Sequence, residues 1–263
     1  MKGSHFHPGR GFTLIEVLVA LAVFLILVLL LTQLVTDTSR NTTRENNRLD
    51  ALGDARQAMD RFGIDWSSRV RRPDTDWEIS RINGNDQVNL LGRVSAYEGT
   101  RKLATVSYRI NPSSHVLERG TLGYDWDGGS ASKLAFSTNG AMPSTPQETA
   151  YEALGPTIFR FSVSYLDKRT GQWTSAAPGK LNGGKLGGVV LSVAALDERN
   201  RGLLTPAQLK ALADALPDPQ GTKTPMEEWT KRLSEAGFPG SVGIPVPVAG
   251  SVRIYQRIFY TEE

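Results

Sequence analysis

Residues Phe12 to Leu31 read FTLIEVLVALAVFLILVLLL, twenty positions carrying one charge, Glu16. As a helix at about 1.5 Å per residue this run spans about 30 Å, the thickness of a bilayer's hydrocarbon core. It therefore needs lipid, or other apolar helices, on every side. Lys2 and Arg10, with His5 and His7, precede it. A short basic flank stays cytoplasmic and leaves the downstream chain outside. The run is longer than the about 7–15 residues of a secretory signal core. No small-x-small cleavage pattern follows Leu31, where the sequence continues TQLVTDTSRNTT. A plain signal anchor is the other simple reading of such a segment.

Glu16 separates these readings from a third. A carboxylate in a membrane segment costs roughly 2.5–3.5 kcal/mol on insertion scales, so an isolated one asks for a functional reason. Gly11 stands before Phe12, and Glu16 is the fifth residue counted from Phe12. The hexamer G-F-T-L-I-E resembles the class III signal of type IV prepilins and pseudopilins. That resemblance implies a prepilin peptidase, a membrane aspartyl enzyme, that cuts after Gly11 and methylates the new N-terminus at Phe12. Glycine suits a cleavage site that needs close access to the backbone. The freed amine is a positive charge in apolar surroundings, and Glu16 of a neighbouring subunit is its natural counter-charge. Either charge alone is expensive in low dielectric, and the pair much less so. Such pairing would fix the axial stagger of adjacent helices and make Glu16 an assembly residue.

After Val35 a polar stretch, Thr36 to Arg48, contains no large apolar side chain. Leu49, Leu52, Ala55, Met59, Phe62 and Trp66 then recur at spacings of three and four, one face of an amphipathic helix. The expected organisation is a leader at 1–11, a transmembrane and assembly helix at 12–35, its amphipathic continuation at 36–72, and a globular head at 73–263. No proline interrupts the helix before Pro73. Major pilins of the resembling family usually carry a proline where this chain has Gln33, which points to a minor subunit.

The head reads as strands and turns. Ala104, Val106, Tyr108 and Ile110 alternate with Thr105, Ser107 and Arg109, and Phe159, Phe161, Val163 and Tyr165 with Arg160, Ser162 and Ser164. Both patterns predict half-buried antiparallel strands. Lys133–Ser137, Val189–Ala194 and Val252–Tyr260 are further candidates, and Asp167–Gly171 is a turn before Trp173. Two short helices fall near 205–236: Thr205-Pro206 with Gln208, and Thr224-Pro225 with Glu227, each form a capping box with proline in the first turn. The fold class is α+β, a long helix packed on an antiparallel sheet. A narrower resemblance is carried by Arg56, Met59 and Asp60, by Arg69-Val70, by F-x-F-x-V-x-Y-L-D before Gly171-Gln172-Trp173, and by Leu196-Asp197. Together these resemble the J-type minor pseudopilins of type II secretion systems. A lineage-specific prepilin-like family is the alternative.

Little else in the chain carries chemistry. With 30 Lys+Arg against 27 Asp+Glu, there is no electrostatic case for a nucleic-acid partner. There is no cysteine, so disulfides, thiolate nucleophiles and zinc–cysteine sites are excluded. His5 and His7 lie in the expected leader, leaving His115 alone. Asp125-Trp126-Asp127-Gly128 opens like a calcium loop, but the position that should supply a bidentate acid is Phe136. Gly183-Gly184-Lys185 lacks the Ser/Thr of a phosphate loop. The sequence thus predicts no catalytic residues, metal or cofactor. It predicts a non-enzymatic subunit, anchored in the inner membrane with its head in the periplasm, whose partners are prepilin peptidase and other pilin or pseudopilin subunits. A minor pilin of a surface fibre, or an exported membrane-anchored domain without a filament, are the rival readings.

Overall fold

The computed structural model describes residues 13–70, 78–82, 84–96, 102–124, 145–168, 170–174, 186–218 and 222–261. It is α+β, a long apolar helix followed by antiparallel sheets. Two compact units divide at Asn46 and Asn47. Helix α1, Leu14–Ser67, contributes its first part to one and its last part to the other.

In the first unit the helix is continuous through the polar residues, and threonine hydroxyls bond back onto its main chain. The hydroxyls of Thr32, Thr36 and Thr42 donate to the carbonyls of Val28, Thr32 and Thr38 at 2.8, 2.8 and 3.0 Å.

Among the described residues the second unit holds two sheets. Strands β1 (Glu78–Ile82), β2 (Asn85–Gly92), β3 (Ala104–Ile110), β4 (Leu117–Gly123) and β5 (Tyr151–Gly155) form a meander in that order. Gly84, at φ 79°, closes the turn between β1 and β2, a conformation that costs glycine nothing. Strands β6 (Ile158–Asp167), β7 (Trp173–Thr174), β8 (Leu186–Ala195) and β9 (Arg253–Tyr260) form a second sheet in the order β7-β6-β8-β9. The expected turn before Trp173 is present: Gly171 N–H donates to the Asp167 carbonyl at 2.8 Å.

Among the described residues five short helices lie between β8 and β9 rather than the two expected: α2 (Glu198–Arg201), α3 (Pro206–Asp214), α4 (Pro225–Ser234), α5 (Phe238–Val242) and α6 (Val246–Ser251). Both capping boxes read from the sequence are formed, Thr205 with Gln208 and Thr224 with Glu227. Three turns were missed because they are brief and rich in glycine, proline or charge.

The main core is built by Ala51, Ala55, Ala58, Met59, Phe62 and Trp66 of α1 against both sheets, including Tyr108, Phe161 and Tyr165. This corrects the expected apolar stripe: Leu49 is 62% and Leu52 38% exposed. At 3.6 residues per turn Leu49 lies about 120° round the helix from Ala55, and the small Ala51 takes the inward place. The helix ends at Ser67 rather than continuing to 72, where side chains take over its last carbonyls. Ser67 Oγ donates to Ile64 O, Ser68 Oγ to Asp65 O and Arg69 Nη1 to Trp66 O, at 2.8–2.9 Å. Arg69 also lies over the Trp66 ring at 3.9 Å, a cation at the negative end of the helix.

The predicted half-burial of β3 and β6 is corrected as well: both of their faces are buried. On β3 the polar face is covered by its own partners. Tyr151 OH and Gln87 Nε2 donate to Ser107 Oγ at 2.8 and 3.3 Å, and Arg109 lies 3.7 Å over the Tyr151 ring while pairing with Glu118 and Glu148. On β6 a bulge sets Ile158 and Arg160 opposite the successive residues Ala195 and Ala194. Phe159 is thereby turned away from Phe161, into a second core with Leu212, Trp229 and Phe238 under the short helices.

Candidate functional site: the helix start and its anchorage in the head

Thr13 and Glu16 form a reciprocal cap at the first turn of α1. Glu16 Oε2 accepts from Thr13 N–H and Thr13 Oγ1 at 3.0 Å each, and Thr13 Oγ1 accepts from Glu16 N–H at 3.3 Å. The pattern Thr-x-x-Glu was present in the sequence as a capping box, and it gives Glu16 a local role beside the proposed one. Gly11 and Phe12, the expected cleavage and methylation residues, lie outside the described residues.

From Leu14 to Val35 every large hydrophobic side chain is between 41% and 81% exposed. Residues Leu14–Ser39 are long and apolar enough to cross a membrane, and none of the most apolar stretch is buried within the chain. A helix apolar on all sides does not persist in water; it sits in lipid or among other helices. Glu16 is the single charged residue between Leu14 and Thr36.

In the second unit the last turns of α1 are anchored by two carboxylates the sequence did not single out. Asp54 Oδ2 accepts from Thr157 N–H at 2.9 Å and Thr157 Oγ1 at 2.7 Å. Asp65 has no solvent exposure. It accepts from Arg119 Nε and Nη2 at 2.7 and 3.2 Å and from Tyr108 OH, with Arg61 at 3.7 Å. Burial, then the Asp65 charge, pushes the Tyr108 hydroxyl well above the usual tyrosine range, so it stays a donor. An aspartate near a helix end, three residues after a Phe, carries no sequence sign that it will be buried. That depends on Arg119, distant in the chain.

His115 takes φ 53° in the β3–β4 turn, and burial followed by Arg201 and Lys210 holds its pKa below the usual histidine value. Arg201 Nη2 donates to the Ser114 and His115 carbonyls at 2.6 and 2.9 Å, a structural tether. Among the described residues no group of three His, Asp or Glu side chains could hold a metal ion. Asp125–Gly128, Phe136, Lys133–Ser137 and Gly183–Lys185 lie outside the described residues.

The basic flank, the apolar helix with one acid at its start and the antiparallel head that follows are the arrangement expected from the resemblance to type IV prepilins. The comparisons agree at the N-terminus: residues 9–32 match the family model of the prokaryotic N-terminal methylation motif. No curated protein matches the chain. Among solved structures it is similar to a type IV-like pilin from Thermus thermophilus, at 15% identity over 69% of this chain and 78% of that one, with a TM-score of 0.30. So slight a similarity of shape has no bearing on function.

Proposed function

We propose that this chain is a minor, non-enzymatic subunit of a pseudopilus in a type II secretion-like system, built into the fibre through α1. The observation that carries this is G-F-T-L-I-E joined directly to a helix whose apolar side chains find no cover within the chain. The precursor inserts with Lys2 and Arg10 on the cytoplasmic side of the inner membrane and its head in the periplasm. Prepilin peptidase trims it after Gly11 and methylates Phe12. Assembly then moves the helix from lipid into a bundle of like helices. Lipid and bundle are similarly apolar, so packing and the contact between Glu16 and a neighbour's amine decide the transfer. Trimming removes two of the 30 basic residues and no acidic ones, leaving 28 against 27, a nearly neutral subunit suited to close packing.

N-terminal mass spectrometry of the membrane fraction tests the processing step. The expected result is a chain that starts at N-methylated Phe12. An intact Met1, or a cut beyond Leu31, defeats the proposal. The choice of machine is tested by deleting the gene: loss of protein secretion with surface fibres intact is expected, and the reverse phenotype assigns the subunit to a surface pilus.

A further inference from the structure

The second sheet ends at β9, which pairs with β8 along its whole length, Arg253 to Tyr260. Among the described residues no strand lies on its other side. Such an edge presents a row of main-chain donors and acceptors to any strand that can approach. Proteins usually blunt edges with proline, bulges or free charge. β9 has no proline, its register with β8 is unbroken, and Arg257 is engaged by Asp60 of α1.

Beside β9 runs a groove of about 380 Å³. Ile254, Tyr255, Gln256 and Arg257, four consecutive residues, line it. Successive side chains of a strand point to opposite faces, so four in a row are reached only along the edge. One wall is α1, through Leu52, Ala55 and Met59, and the other is Met226 in the first turn of α4. Gln256 Oε1 accepts from Met226 N–H at 3.2 Å and from Ser192 Oγ at 3.1 Å, which fixes α4 to the sheet and holds the groove open. Leu52 and Met226 remain 38% and 36% exposed, apolar surface that the chain does not cover itself. A strand edge between two helices is the geometry that accepts an extended segment as an added strand, main chain on the edge and alternate side chains against the walls.

Charge selects the occupant. The groove is lined by Arg56 and Arg257 against the single acid Asp60, and Asp60 is taken by Arg257. Arg56 is exposed and available to a carboxylate. A second copy would bring Arg253 and Arg257 of its own β9 to this positive edge. We propose that the groove receives an extended acidic and apolar segment of a partner protein, which adds to β9 as a fifth strand with a carboxylate on Arg56.

The test uses the full chain purified in detergent and fluorescent heptapeptides, read by anisotropy. Saturable binding is expected for TVEVEVT, with TVKVKVT at least about tenfold weaker, as for a charge at an interface rim. Arg56→Glu, at an exposed position, should reverse that order. Of two versions of TVEVEVT N-methylated at alternate sets of amides, one should lose binding, because one set faces the edge. Absence of saturable binding at millimolar peptide, or binding indifferent to both N-methylation and Arg56→Glu, overturns the proposal. So does a dimer of the chain that excludes the peptide, which assigns the edge to a second copy.

Discussion

Glutamine in place of Glu16 separates its helix cap from the charge pairing proposed for it. The carboxylate accepts two bonds from Thr13, both 3.0 Å and both to Oε2. A glutamine carbonyl oxygen can accept the same two, so Glu16→Gln keeps the helix start and removes only the charge. Thr13→Val does the opposite: it keeps the charge and removes the capping hydroxyl, at a cost of about 1 kcal/mol. A carboxylate has about four lone-pair sites, so the cap leaves room for a neighbour's ammonium, and the two roles are compatible. In an apolar bundle the unpaired amine should carry a penalty like that of other membrane-centre charges, roughly 2.5–3.5 kcal/mol. That corresponds to on the order of a hundredfold in the partition of subunits between membrane and filament. The assay is the ratio of subunit in sheared or cross-linked filaments to subunit in the membrane, by quantitative immunoblot, with N-terminal trimming checked by mass spectrometry. Glu16→Gln and Glu16→Ala should both be trimmed and both fail to incorporate by about that factor. Thr13→Val should lose about fivefold or less, the equivalent of about 1 kcal/mol. If Glu16→Gln incorporates like the parent while Glu16→Ala does not, Glu16 is a helix cap only and the charge pairing is refuted.

Two further outcomes follow from the head. Asp65→Asn leaves Arg119 without its buried counter-charge and should lower stability by about 3–5 kcal/mol in urea unfolding of the detergent-solubilised chain, whereas Asp65→Asn with Arg119→Met should cost less than the two single changes together. Strict additivity would show that the pair does not clamp α1. Hydrogen bonds from the Thr224 main chain and then its hydroxyl hold the Glu227 carboxyl below the usual carboxylate range. A depressed folded-state pKa means the cap contributes fully above the ordinary carboxylate pKa and is lost as pH falls through the depressed one. Glu227→Gln should therefore flatten the acid limb of the stability profile slightly, since the group is exposed; an unchanged limb contradicts the assignment.

The strands that could be read from the sequence were β3 and β6, whose apolar residues alternate, and β8 and β9, which are short runs rich in β-branched and aromatic residues. The first two strands, β4 and β5 carried no such pattern, and β2 and β4 show why. β2 begins Asn-Asp-Gln, poor strand formers, yet all three are buried. Asn85 Oδ1 accepts from Phe161 N–H at 2.9 Å and Asp86 Oδ2 from Val163 N–H at 2.6 Å. These side chains satisfy the part of the β6 edge that short β7 does not reach, so a polar sequence is what the position needs. On β4, Arg119 answers Asp65 and Glu118 answers Arg109 and Asn111. Such residues are explained by partners on other elements, across a hairpin for Glu118 and far away in the chain for Asn85, Asp86 and Arg119, and no local period encodes them. The short helices divide on the same principle: the two with complete capping boxes were legible, and those stabilised by burial of Phe238 or Val248 were not.

Helix α1 shows the same limit within one element. Its first part is written in large aliphatic side chains and its buried last part in alanines, with Met59, Phe62 and Trp66 at the end. The difference follows from what each part packs against. Alanine lets the helix backbone come close to a fixed sheet, where the partner's shape is already set by β3, β6 and β8. Branched and long side chains all round the helix suit a fluid or repeated environment, in which no single face is privileged. A stripe sought by hydrophobicity alone therefore finds Leu49 and Leu52 and misses Ala51 and Ala58, because it weighs transfer energy and not closeness of approach. What it leaves over is informative: Leu52, left partly exposed, forms one wall of the groove beside β9. An apolar side chain at such a place, next to a strand edge that no other strand covers among the described residues, is consistent with the docking surface proposed above.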